Sequence, residues 1–86
     1  MKKYIVTYDL NKKDKDYNGL INAIKQYNCI KLLYSAWIIK SNQSAQQIFD
    51  ALRPYIDAND GIIVIEINTL NEQGWLPNDK WNFING

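Results

Sequence analysis

Tyr4-Ile5-Val6-Thr7-Tyr8-Asp9 is the stretch around which the rest of the chain arranges itself. Tyr, Ile, Val and Thr favour pleated backbone, so residues 3–9 are predicted to form a strand. Apolar character on both of its faces suggests a central strand, covered at least partly on each side. Asp9 ends it and places a carboxylate at the strand's C-terminal end. By residue type, an aspartate at a strand end commonly caps the turn that follows through its side chain.

Downstream, the polar connection Asn11-Lys12-Lys13-Asp14-Lys15 leads to a helix expected from about Asp16 to Asn28. Tyr17, Leu20, Ile21 and Ile24 recur at i, i+3, i+4 and i+7, and Tyr27 extends the stripe. Asp14 or Asp16 can cap its first N–H groups. Gly19 inside it costs up to about 1 kcal/mol relative to Ala. Residues 29–40 are strand-like but twice the usual strand length of about 5–6 residues. A bend near Ser35 is expected to split them, although no Gly or Asn-Gly marks the turn. Ser44 with Gln47 is a capping-box pattern opening a second helix, with Ala45, Ile48, Phe49, Leu52 and Ile56 as its buried stripe. Pro54 should kink or end that helix. Asn59-Asp60-Gly61 signals a turn. Ile62-Ile63-Val64-Ile65-Glu66-Ile67 reads as a strand buried on both faces. The tail, residues 69–86, is polar but carries Trp75, Leu76, Trp81, Phe83 and Ile84. It is expected to form a loop and a short helical turn whose aromatics fold back on the domain or on a second subunit.

This order gives an α+β, ferredoxin-like β-α-β-β-α-β fold with a C-terminal aromatic tail, a single domain over 1–86 with its core in 3–68. A chain of 86 residues buries only roughly 60–65% of its unfolded surface, so pairing with a second copy would add stability. At 47% hydrophobic and 22% charged the composition is that of a globular protein rather than a disordered one. Net charge is +1, which favours neither a nucleic-acid coat nor an acid-binding surface. Its distribution is uneven. Residues 1–40 hold eight lysines against three aspartates, and residues 41–86 hold two basic against six acidic residues. That asymmetry suits either one basic face or two solvated ones.

Cys29 is the one cysteine, so no internal disulfide can form, and it reads as a small buried hydrophobe. The start Met1-Lys2-Lys3-Tyr4 has no apolar stretch of signal-peptide length, and no run of about 18 apolar residues occurs. A cytoplasmic protein with no membrane contact is the expectation. The chain has no histidine. Ser-His and Cys-His nucleophile pairs and imidazole metal ligands are therefore excluded, and catalysis would have to rest on carboxylates, lysine, tyrosine or a metal-bound water. No Gly-rich phosphate loop is present to support a small-ligand site.

Four stretches carry a family resemblance. They are Tyr4–Asn11 (YIVTYDLN), Tyr17–Tyr27, Trp37–Lys40 (WIIK) within Tyr34-Ser35-Ala36-Trp37-Ile38, and Ser44–Asp60 with Pro54. In their order and spacing they resemble the Cas2-like small CRISPR-associated superfamily, and most closely its stand-alone SinR-like members. The resemblance covers about residues 3–68 and extends more weakly to Trp75 and Trp81. It implies a ferredoxin-like homodimer in which Asp9 and its symmetry mate face each other. It further implies a metal-dependent endonuclease, acting on RNA or DNA in antiviral defence, with Asp9 as catalytic residue and ligand of Mg²⁺. Two carboxylates with waters, one from each copy, suit that hard cation. Lys12, Lys13 and Lys15 are candidate phosphate contacts, against the plainer reading of surface lysines in a loop. Tyr8, Asn11 and Ser35 are candidate accessory residues, though Tyr8 can equally pack in the core and Ser35 can simply shape the bend. Trp75 and Trp81 suit base stacking or, alternatively, anchoring of the tail or of a dimer contact. The only arginine is Arg53, so bidentate phosphate gripping is scarce. The competing function is a non-catalytic dimeric scaffold or interaction module, related to defence or to a toxin–antitoxin pair, with a protein partner.

Overall fold

The computed structural model describes residues 1–11, 17–68 and 71–86. Strand β1 (Lys2–Asp9) is followed by helix α1 (Asn18–Ile24). The hairpin β2 (Asn28–Leu33) and β3 (Ala36–Ser41) comes next. Helix α2 (Ala45–Leu52), a 3-10 turn (Arg53–Tyr55), strand β4 (Gly61–Ile67) and helix α3 (Asn78–Asn85) complete the chain. The four strands form one antiparallel sheet in the order β2-β3-β1-β4. This is the ferredoxin-like arrangement that the sequence predicts, with β1 in the interior.

The ladder registers sort the strand residues into two faces. Val6 lies opposite Trp37 and Val64, and Tyr4 opposite Ile39 and Glu66. Side chains directly opposite each other share a face. On this first face Tyr4, Val6, Trp37 and Ile39 pack with Leu20 and Ile24 of α1 and Ile48 and Leu52 of α2, forming the main core. Leu20, Ile24, Ile48 and Leu52 are completely buried.

The Ser44 hydroxyl accepts from the Gln47 N–H (3.1 Å), and the Gln47 side chain accepts from the Ser44 N–H (2.8 Å). The capping box expected at α2 is thus complete. α2 ends at Leu52, because Pro54 cannot continue the α-helical ladder and the chain tightens into the 3-10 turn. α1 is shorter than its apolar stripe suggests. The N–H groups of Gln26 and Tyr27 turn back to Ala23 and Ile24, which closes the helix before Tyr27. Its expected acidic caps, Asp14 and Asp16, lie outside the described residues. The bend between β2 and β3 falls at Tyr34-Ser35. No residue has a positive φ among the described residues. A shift of register between Lys31 and Leu33 absorbs the hairpin's twist instead, which is why no glycine announces the turn.

The second face of the sheet is covered only in part. It carries Lys3, Ile5, Thr7 and Asp9 of β1, Ile38 and Lys40 of β3, and Ile63, Ile65 and Ile67 of β4. α3 lies over its β2–β3 half. Ile38 and Ile84 are buried there, 1% and 6% exposed. The neighbouring lysines Lys3 and Lys40 donate to the carbonyls of Ile84 and of Gly86 at the end of α3. Lys40 also stands 4.3 Å over the Phe83 ring, and Lys80 donates to the Lys31 carbonyl. Cations at a helix C-terminus complement its dipole. The β4 half stays open: Ile63 and Ile65 are 49% and 48% exposed. This corrects the expectation that β4 is buried on both faces. A run of β-branched residues fits equally a strand with one covered face, and one helix of eight residues is too short to roof the whole sheet.

A candidate active site at the end of β1

Asp9 is the last residue of β1 and lies opposite Gly61 in the β1–β4 ladder. It belongs to the second, half-open face with Thr7, Ile5, Ile63 and Ile65. Gly61 leaves the space beside it free, for a Cβ built there meets nothing within 4 Å. A shallow concavity of about 330 Å³ results, lined by Thr7, Tyr8, Asp9, Gly61, Ile62 and Ile63. Asp9 is exposed. Among the described residues no hydrogen bond or ion pair engages its carboxylate, so the turn-capping reading has no partner there.

The hairpin bend meets β1 at this same end. The Ser35 carbonyl accepts from the Thr7 hydroxyl (2.8 Å) and from the Tyr8 N–H (3.2 Å). Ser35 is therefore brought to the site, with its backbone oxygen as the anchoring group. Tyr8 alternates to the opposite face. Its hydroxyl accepts from the Trp37 indole N–H (3.1 Å), and its ring packs against the core. Asn11 leaves the sheet and is tied to the turn before β4. Its N–H donates to Asp60 Oδ1 (2.9 Å) and its side-chain amide to the Asn59 carbonyl. Lys12, Lys13 and Lys15 lie outside the described residues.

A divalent cation implied by the family resemblance needs oxygen ligands. Among the described residues no group of three or more His, Cys, Asp or Glu side chains is placed to hold a metal. One protomer supplies a single strand-end carboxylate. Mg²⁺ binds through one or two carboxylates while keeping waters and taking substrate phosphates, so Asp9 fits one position of such a set.

Other sequence candidates fall elsewhere. Cys29 faces the core from β2, half-buried; burial pushes its thiol pKa up, against the lowering effect of Lys25. Trp75 is 99% exposed and so does not anchor the tail on its own domain. Trp81 packs beside Gly74, a contact within the tail itself. Asp60, which gathers Asn11 and Tyr17, was legible only as one residue of a turn. Its position before a glycine gave no sign of bonds reaching across the fold.

The family model for "CRISPR associated protein Cas2" matches residues 1–73. Among solved structures, the crystal structure of a hypothetical protein, TT1823 from Thermus thermophilus, is similar to this chain. It superposes with a TM-score of 0.68 at 19% identity, covering 88% of this chain and 94% of that one. At that identity the likeness speaks for the fold alone. No curated protein matches. Among the described residues no helix is long and apolar enough to cross a membrane.

Proposed function

The chain belongs to the Cas2 family of CRISPR-associated proteins, and from that premise we propose that it is a homodimeric, metal-dependent endonuclease whose catalytic carboxylate is Asp9. The observation that carries this reading is the exposed Asp9 carboxylate, unengaged among the described residues, on the half of the sheet that α3 leaves uncovered. The same half presents Ile63 and Ile65, an apolar surface suited to a second copy. Two copies meeting on this half-face would bring two Asp9 carboxylates toward one axis.

When bound, Mg²⁺ or Mn²⁺ would polarise a phosphate and supply an activated water at neutral pH. The rest falls to the chain's own groups. Asp9 provides the carboxylate oxygens that hold the cation. The open space over Gly61 admits a phosphodiester backbone beside it. Lys12, Lys13 and Lys15, just beyond Asp9 in sequence, neutralise flanking phosphates. No histidine is required for any of these roles.

Hydrolysis of labelled single-stranded RNA and duplex DNA with Mg²⁺ or Mn²⁺ tests the reading, wild type beside Asp9→Asn. Cleavage that is lost in the variant while mass and circular dichroism are retained supports it. Equal cleavage by both proteins sinks it. The second reading, a non-catalytic dimeric scaffold for a protein or nucleic-acid partner, is favoured by the lack, among the described residues, of a cluster of side chains that could hold a metal and by the fully exposed Trp75. It expects no cleavage by either protein, with partner binding unaffected by Asp9→Asn.

A further inference from the structure

Asp60 sits at the end of a turn in which its own N–H donates to the Asp57 carbonyl (3.0 Å). To shape that turn its side chain needs only one contact, from the Asp57 N–H to Oδ2 (2.8 Å). Two further partners of the side chain come from outside the turn. Oδ1 accepts from the Asn11 N–H (2.9 Å), and the Tyr17 hydroxyl lies 3.0 Å from Oδ1 and 3.1 Å from Oδ2. The two carboxylate oxygens are thus used in nearly every accepting direction an ionised aspartate has. Asn11 and Tyr17 are the two described residues flanking positions 12–16. They stand 49 and 43 positions from Asp60 in sequence. The next residue, Gly61, is the ladder partner of Asp9. Asp9 is therefore held from two sides: by the ladder to Gly61, and through Asn11, two residues on, by the side chain of the residue before Gly61.

We infer that Asp60 is the positioning residue of the site: one carboxylate clasps Asn11 and Tyr17 to the β4 turn and thereby fixes where the Asp9 carboxylate stands. The inference deepens the nuclease reading and rests on it for the catalytic consequence, while the clasp itself is read independently. Asp60→Asn is nearly isosteric but turns one acceptor into an N–H₂ donor, which then faces the N–H of Asn11 or of Asp57. Charge-assisted bonds of this kind are the stronger ones, so the loss is felt at both ends. Tyr17→Phe removes one arm only and leaves the turn intact.

The test measures amide hydrogen exchange at Asn11, the ¹³C resonance of the Asp9 carboxyl, and steady-state cleavage, in wild type, Asp60→Asn and Tyr17→Phe. In Asp60→Asn the Asn11 amide is expected to exchange about tenfold faster while core amides of β1 and β3 keep their protection. The Asp9 resonance shifts, and kcat falls about tenfold to a hundredfold with KM little changed. Tyr17→Phe falls between the two. Unchanged Asn11 exchange in Asp60→Asn overturns the clasp. Faster exchange with an unmoved Asp9 resonance overturns the positioning role. If the wild type cleaves nothing, the nuclease reading fails on its own, and the exchange and resonance data still decide whether Asp60 positions Asp9.

Discussion

An exposed carboxylate at a strand end contributes little to folding. Surface substitutions away from buried contacts usually change stability by less than about 0.5 kcal/mol, and Asp9→Asn should fall in that range by urea unfolding while removing metal-dependent cleavage. Gly19 behaves differently. A Cβ added there would stand 2.8 Å from Cδ1 of Tyr55, part of a ring rather than the tip of a flexible chain. Gly19→Ala gains up to about 1 kcal/mol of helix propensity but forces the ring aside, at a cost of about 1–3 kcal/mol. The net expectation is destabilisation in the wild type and stabilisation in a Tyr55→Ala background, read from the unfolding midpoints of the four proteins. A matching sign in both backgrounds would refute the contact. The Cys29 thiol has a clear sign too. Burial raises its folded pKa, so above about pH 8.5 the unfolded chain releases a proton that the folded chain keeps. Its contribution therefore lowers stability as pH rises through that window, and Cys29→Ser should flatten the alkaline slope.

The elements differ in how plainly the sequence announced them. The start of α2 was legible because both partners of its capping box lie within four residues of each other, and Pro54 marked its end, although Ile56, read as part of its stripe, lies past the 3-10 turn in extended backbone. Ser44→Ala should cost about 1 kcal/mol, since it removes the cap from a helix that carries part of the core. Leu52→Ala, which empties a fully buried position, should cost about 2–5 kcal/mol; both are read from denaturant midpoints. β1 was legible from its β-branched run, and the Ser35 bend from length alone. What the sequence hid was tertiary. Ile63 and Ile65 are chemically identical to core residues, and only the short reach of α3 leaves them half exposed. Nothing in the sequence marks Lys3 and Lys40 as partners of a helix end, yet both donate to carbonyls at the end of α3. Of the candidate site, Asp9 was legible because a carboxylate closing an apolar strand stands out. Asp60 was not, because its partners lie more than forty positions away.

At the scale of the whole molecule, one sheet face is sealed by two helices and the other is half sealed by a third. β4 is one of the two edge strands of the sheet; it carries neither lysine nor proline, and Glu66 is its single charged residue set against edge pairing. An apolar half-face next to such an edge would suit the second copy proposed above. The basic first half of the chain bears on partners. If Lys12, Lys13 and Lys15 contact phosphates, replacing any one of them by Ala should weaken nucleic-acid binding for all sequences and lower the slope of log K against log salt by roughly 1. Equal slopes for wild type and the triple variant would remove these lysines from the interface.

If two copies meet on the open half-face that bears Asp9, Ile63 and Ile65, as proposed, a charge placed in its middle should separate them, and sedimentation of wild type beside Ile65→Asp decides the point. The wild type is expected at twice the chain mass, and Ile65→Asp as a folded monomer. A monomeric wild type, or an Ile65→Asp variant that stays dimeric, would refute this arrangement.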